Sequence, residues 1–208
     1  MEDAYVLQLS NRKFSELYLC MCGYSKCKPL HSFGPAVRPD YLIHFILKGK
    51  GRYYSGDARY YLEAGQGFLI EPNVLTFYQA DADEPWEYLW IGFNGTNVAE
   101  YLRDVGLNSG QLIFQNAYGA ELKHTVVKML KNTTSNISNQ YERQGLLYSF
   151  FSILSKNINI NVPREQDGEN IHISRAAEYV RNNYFDAIRV ADIAKYVCVD
   201  RTYLYELF

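Results

Sequence analysis

The sequence predicts a mixed α+β protein, with an antiparallel sandwich or small barrel in its first half and helices after it. Three observations predict it. Up to about residue 95, apolar residues alternate in short runs broken by glycine-containing turns. After Gly95 the apolar residues recur at helical spacing instead. A polar stretch over 156–170, with Pro163 and Gly168, then sets off a last, all-helical segment.

The alternating runs place strands near 41–48, 51–55, 59–63, 67–71, 74–79 and 87–93. They are separated at Gly49/Gly51, Gly56-Asp57, Gly65/Gly67 and Pro72-Asn73. Strands this closely spaced belong to a sandwich or barrel rather than a parallel sheet, whose crossovers need a dozen or more residues. The last of them, within EPWEYLWIGFNG at 84–95, holds both tryptophans of the chain. Successive side chains in a strand point to opposite faces. Trp86, Tyr88 and Trp90 therefore share one face, and Leu89, Ile91 and Phe93 the other. One face suits a core; the other offers large aromatics with polar handles, as core or as a binding wall.

Helical spacing follows near 97–105, 119–131 and 140–157. In the third segment Leu147, Phe151, Leu154 and Ile158 form one stripe that Leu146, Phe150 and Ile153 widen. So wide an apolar face must be buried against the sheets, a partner chain, or both. Beyond the linker, helices are expected near 174–184, 190–197 and 201–208, with Ser174 and Asp200 as N-caps. Ile193, Ala194 and Val197 face inward from the second of these, and Leu204 and Phe208 return to the same core from the third. That spacing fits a helix-turn-helix, and equally any small helical hairpin.

Of the residues, 48% are hydrophobic and 21% charged, with a net charge of -2. This is a globular profile and excludes a disordered tail protein. The N-terminus has no signal-peptide pattern, and no run reaches the ~18 apolar residues of a membrane helix. A cytoplasmic location without membrane contact is expected. Cys20, Cys22, Cys27 and Cys198 contain no CxxC and have no histidine at ligand spacing, so free thiols are expected rather than a metal site. In that compartment Asn132-Thr133-Thr134 is a chance match to the glycosylation pattern.

Taken together, D-I-A at 192–194, Y-L-x-x-L-F at 203–208, RPDYLIHFILKGKG at 38–51, LEAGQGFLIEPN at 62–73 and PWEYLWIGFNG at 85–95 give the chain its resemblance. Nearly the whole of it resembles the AraC family of bacterial transcription regulators. It is similar in particular to regulators of sugar utilisation of the α-galactoside operon type. The resemblance implies a cupin-like β-barrel (jelly roll) that binds an effector over 1–118, with an N-terminal arm at 1–13. It further implies a helical dimerisation segment at 119–158, a linker at 159–170 and a partial helix-turn-helix DNA-binding domain at 171–208. The partners implied are a sugar effector, DNA and a second copy of the chain. Cys198 and Arg189 stand where the family more often has Gly and Ser or Thr, and the second helix-turn-helix of the family is absent, as expected of a shortened regulator. Residues 171–208 carry as many acidic as basic side chains, so this segment alone is expected to bind DNA weakly. Arg201, Thr202 and Tyr203 begin the recognition helix, where base contacts originate.

Cupin enzymes hold a metal with a His-x-His pair, a Glu and a later His. This chain has no His-x-His, and matched to the cupin blocks Arg38, Leu42 and Thr76 fall at those positions. No metal, cofactor or catalytic residue is expected, and the chain is not expected to be an enzyme. The same matching turns Leu42, His44, Ile46, Thr76, Tyr78, Tyr88 and Trp90 inward. A sugar has apolar C–H faces and a rim of hydroxyls, which calls for a flat aromatic with fixed donors and acceptors. The expected ligand-binding set is Arg38, His44, Thr76, Tyr78, Tyr88 and Trp90, with Trp90 as platform and Arg38 as a fork of donors. The arabinose-binding relative has Arg, Tyr and Trp at the positions of Arg38, Tyr78 and Trp90. It has histidines where this chain has Thr76 and Tyr88, which implies a different sugar. Trp86 is read as edge or core as readily as a contact, and Glu71 as a turn residue. Two other readings stay open: a cupin-fold enzyme acting on a sugar, and a sensor of a planar or cationic molecule.

Overall fold

The computed structural model describes residues 3–10, 13–156, 171–183, 188–197 and 199–207. The first half holds β1 (Asp3–Gln8), β2 (Tyr18–Lys26), β3 (Ser32–Val37), β4 (Tyr41–Lys48) and β5 (Lys50–Ser55). It continues with β6 (Ala58–Glu63), β7 (Gln66–Ile70), β8 (Leu75–Ala80) and β9 (Glu87–Asn94). Then come α1 (Val98–Asp104), β10 (Ile113–Gln115), α2 (Gly119–Lys131) and α3 (Ile137–Ser155). The last elements are α4 (Ile171–Asn183), α5 (Val190–Tyr196) and α6 (Arg201–Leu207). The chain divides into two compact units, Met1–Ile158 and Asn159–Phe208. The linker expected at 159–170, the side chain of Ser174, and Cys198 and Phe208 lie outside the described residues.

The strands of the first unit form two antiparallel sheets, ordered β1-β2-β9-β4-β7-β10 and β3-β8-β5-β6. The expected barrel is therefore not closed: each sheet keeps two edge strands. One of these edges, β3, contains Pro35, which has no N–H to give a ladder, and its register with β8 skips between Phe33 and Ala36. The segment expected as an N-terminal arm begins as a regular strand, β1, paired along its whole length with β2.

The inner face of the six-stranded sheet looks toward the four-stranded one, and its outer face carries α2 and α3. Leu89, Ile91 and Phe93 of β9 are fully buried and share one core with Leu122, Val126 and Met129 of α2 and Leu147, Phe150 and Leu154 of α3. Phe93 meets Phe151 edge-on at 5.2 Å. By packing, residues 119–155 thus belong to the first unit. The α2–α3 turn is tied by Arg143, a buried side chain whose Nη1 donates to Asn132 O at 2.8 Å and to Thr134 O at 3.0 Å. Asn136 caps α3 by accepting from Asn139 N at 2.8 Å. A polar cluster pins α2 to the sheet: Glu87 of β9 accepts from Tyr24 Oη at 2.7 Å and from Lys123 Nζ at 2.9 Å. Burial opposes the charge, but Lys123 and Tyr24 together hold the Glu87 carboxyl below its ordinary range.

The second unit is helical. Ala176, Ala194, Val197 and Leu204 form its small core, with Ile193 and Val199 packed against them. Asp200 caps α6, accepting from Tyr203 N at 2.9 Å. At the start of α5 the Asp192 carboxylate accepts from Arg189 N at 2.9 Å, which is the half of a capping box that the third helical residue supplies.

The shared core gives a direct test. Phe150 is fully buried between helix and sheet, so Phe150→Ala should lower the unfolding free energy by about 3–5 kcal/mol. A urea titration followed by far-ultraviolet circular dichroism reads this as a lowered midpoint.

Candidate functional site

Strand alternation builds a cavity on the inner face of the six-stranded sheet. Cross-strand register aligns Val6, Gly23, Trp90, His44 and Phe68 in one row across β1, β2, β9, β4 and β7. The next row on that face is Ala4, Ser25, Tyr88 and Ile46. On the far side Met21, Gly92 and Leu42 align. Two glycines make the rows fit. A Cβ at Gly23 would lie 2.0 Å from Trp90 Cζ2, so the indole lies where that side chain would be. A Cβ at Gly92 would lie 2.6 Å from Met21 Cγ.

The resulting cavity has a volume of about 270 Å³. His44, Trp90, Tyr88, Ser25, Met21 and Leu42 line it from the larger sheet, and Ala4 and Val6 from its edge strand. Tyr78 of β8 faces them from the smaller sheet, with Phe33, His31 and Arg38 beside it. The His44 ring lies parallel to Phe68 at 4.7 Å and within 20° of parallel to Trp90 at 6.2 Å. The Arg38 guanidinium sits over the Phe33 ring at 4.0 Å.

Five of the six residues expected at the site, Arg38, His44, Tyr78, Tyr88 and Trp90, meet around this cavity. Thr76 does not. It is buried on β8, two residues along from Tyr78, and is not among the side chains that line the cavity. Trp86 is core, 1% exposed, with Nε1 donating to Leu62 O at 3.4 Å. The residues that sequence reasoning missed are Ala4, Val6, Met21, Ser25, His31 and Phe33. The alternation of YLCMCGYSK carries a signal for Met21 and Ser25; the loop residue His31 has none. On the opposite side of β2, Cys22 is fully buried, and burial pushes its thiol up to about 12 despite the Arg143 charge. No disulfide joins Cys20, Cys22 or Cys27. Among the described residues no group of three or more His, Cys, Asp or Glu could hold a metal ion, and no helix is long and apolar enough to cross a membrane.

Electrostatically the cavity has one sign. Burial first, and then the Arg38 charge, push the His44 imidazole down from 6.5 to about 3. Burial raises the Tyr78 hydroxyl, while the Tyr88 hydroxyl and the Arg38 charge pull the other way. Among the described residues, the only buried side-chain polar atoms without a hydrogen-bond partner are Arg38 Nε and His44 Nδ1. Both belong to this wall. Buried polar atoms are almost always paired, with protein or with water, so these two can each take a further hydrogen bond at the cavity. A larger groove of about 530 Å³ in the second unit, between Ala176, Val180, Val190, Ile193 and Leu204, is nearly all apolar and offers nothing to orient a polar ligand. At the start of α6, Arg201, Thr202 and Tyr203 are all exposed.

Two predictions follow from the geometry. Gly23→Val must displace the Trp90 indole, and near-ultraviolet circular dichroism should report a changed tryptophan signal. Between pH 6.5 and about 3 the unfolded chain takes up a proton at His44 that the folded chain refuses. This contribution to stability is full above pH 6.5 and is lost as the pH falls toward 3. His44→Leu should therefore show a smaller drop in urea midpoint between pH 7 and pH 4 than the parent.

Residues 19–151 match the family model described as the AraC-like ligand binding domain. The chain is 31% identical over 189 residues to the Msm operon regulatory protein of Streptococcus mutans, a match spanning 89% of this chain and 68% of that one. It is 28% identical to the raffinose operon transcriptional regulatory protein RafR of Pediococcus pentosaceus, over 96% of this chain and 73% of the relative. To the lactose operon transcription activator of Staphylococcus xylosus it is 26% identical, over 95% and 71%. The family model covers both sheets' central strands, the wall from Met21 to Trp90, and α2 with most of α3. The chain belongs to the AraC family, and its first unit is an AraC-like ligand-binding domain.

Proposed function

We propose that this chain is a ligand-responsive regulator of carbohydrate utilisation whose effector is a sugar bound between the two sheets. The observation that carries the proposal is the wall itself: the Trp90 indole beside Arg38, His44, Tyr78 and Tyr88, with two buried polar atoms left for a ligand to satisfy. An indole face suits the C–H side of a pyranose, and the surrounding donors and acceptors suit its hydroxyls. Neutral His44 serves as donor or acceptor without adding charge. Binding, not catalysis, is the role assigned to these residues. Relatives named for the raffinose and lactose operons support a sugar as the effector class.

The remaining roles follow the same reading. α5 and α6 are read as a helix-turn-helix, with Arg201, Thr202 and Tyr203 facing DNA and residues 171–208 forming part of the DNA-binding domain. The balanced charge of this segment leaves most phosphate attraction to the rest of a complete DNA-binding domain. Residues 119–158 are read as the dimerisation segment, supported by Ile137, Tyr141 and Tyr148, which α3 leaves 59%, 58% and 40% exposed. Sugar would bind one arrangement of sheets, N-terminal strand and dimer helices more tightly. It would shift the DNA-binding units by that difference in affinity and no more.

Calorimetric titration of the chain with mono- and oligosaccharides tests the proposal. At least one sugar should bind, and Trp90→Ala should weaken it about tenfold or more, the loss of one aromatic platform. Undiminished binding by Trp90→Ala would remove the cavity from the proposal.

A further inference from the structure

The charge of the cavity says more about its ligand than the aromatics do. Arg38 is the one formally charged side chain among the residues that line it, and no aspartate or glutamate is among them. Its field reaches inward: the Arg38 charge disfavours protonation of His44 and favours ionisation of Tyr78. Within low-dielectric walls such a field is focused rather than screened. The guanidinium is served by the Phe33 ring at 4.0 Å, by the Tyr78 hydroxyl and by solvent, while Nε is buried without an acceptor.

A ligand that fills about 270 Å³ expels the water that hydrates this charge. A neutral polyol replaces that hydration with hydroxyl hydrogen bonds. An anion replaces it with charge-assisted bonds about twice as strong, and a planar carboxylate or a phosphate matches the guanidinium fork. The Tyr78 hydroxyl offers the guanidinium a neutral partner, but no lining residue offers it an opposite charge.

We infer that the ligand of this cavity is an acidic sugar, a polyol carrying one carboxylate or phosphate group that seats on Arg38 while its ring lies against Trp90. The inference rests on the sugar-sensor reading above and narrows it. The aromatic wall selects the ring, and Arg38 selects the acid.

The test is calorimetric titration of the whole chain with glucose and galactose, their uronates, their 6-phosphates and inorganic phosphate. A uronate or a 6-phosphate should bind about tenfold or more tightly than its parent hexose, and the stronger of the two identifies the acid group. Arg38→Gln should erase that advantage, costing the acid about tenfold more affinity than it costs the parent hexose. Arg38→Lys, which keeps the charge but not the fork, should retain part of it. Melting temperatures of both variants check folding, since Arg38 lies outside the strands.

Equal binding of a hexose and its acids, or equal losses for both in Arg38→Gln, overturns the inference and leaves the sugar reading standing. Binding of inorganic phosphate as tight as that of the sugar phosphates, with no hexose or uronate bound, overturns both. So does the absence of heat with every probe.

Discussion

The cavity depends on one steric exchange in the larger sheet, the Trp90 indole lying where a side chain at Gly23 would be. Register pairs the two residues directly across β2 and β9. Any side chain at 23 would collide with the ring and turn it out of the row that runs from Val6 to Phe68. With Gly23 bare, the indole lies near the neighbouring strand and almost parallel to His44, whose own ring lies flat on Phe68. The stack fixes His44 where burial and Arg38 keep it neutral. One missing Cβ thus sets the position of the indole against which His44 is stacked.

The same strand serves two layers. Tyr88 and Trp90 face the cavity, while Leu89, Ile91 and Phe93 face the helices and are fully buried there. Glu87, at the start of β9, is held by Tyr24 of β2 and Lys123 of α2. β9 lies in the middle of its sheet, hydrogen-bonded to β2 on one side and β4 on the other. It therefore cannot slip by one residue, because a slip would send its cavity residues into the helix core and its apolar residues into the cavity.

Much of this was legible in the sequence, for a physical reason. β4 to β9 are bounded by glycine-containing or proline-containing turns and alternate with period two, so their faces can be read without knowing their partners. His44, Tyr78, Tyr88 and Trp90 come from those strands, and the family resemblance said which of the two faces looks inward. Arg38 lies just before β4, outside any periodicity, and only the family resemblance pointed to it. β1 and β3 were not legible as strands: β1 has no turn in front of it, and β3 carries Gly34 and Pro35, which normally argue against a strand. β10 is three residues long. Their side chains on the wall, Ala4, Val6 and Phe33, are placed by pairing with distant segments, which local pattern does not encode. Thr76, turned inward by the family resemblance, is buried on β8 but is not among the side chains that line the cavity. The separation into two sheets with free edges likewise depends on which strands hydrogen-bond, not on where strands occur.

A wall and a helical layer that share a strand are mechanically joined, and the size of their coupling has a definite origin. β9 is hydrogen-bonded to β2 and β4 on either side, so the backbone that carries Trp90 lies between Leu89 and Ile91, which the helix core grips. The polar cluster at Glu87 resists movement of that backbone on the α2 side, because parting Glu87 from Lys123 strands a charge that is already largely buried. The apolar contacts of Phe93 and Phe151 resist it on the α3 side. In the proposed sensor, these two resistances would contribute to the free-energy difference between arrangements of the strand. A bound ligand acts on the helices only through the difference between its affinities for those arrangements, so tightness of binding alone transmits nothing. In the proposed sensor, what the cavity transmits would be decided by how differently Arg38, His44 and Trp90 hold the ligand when the strand shifts.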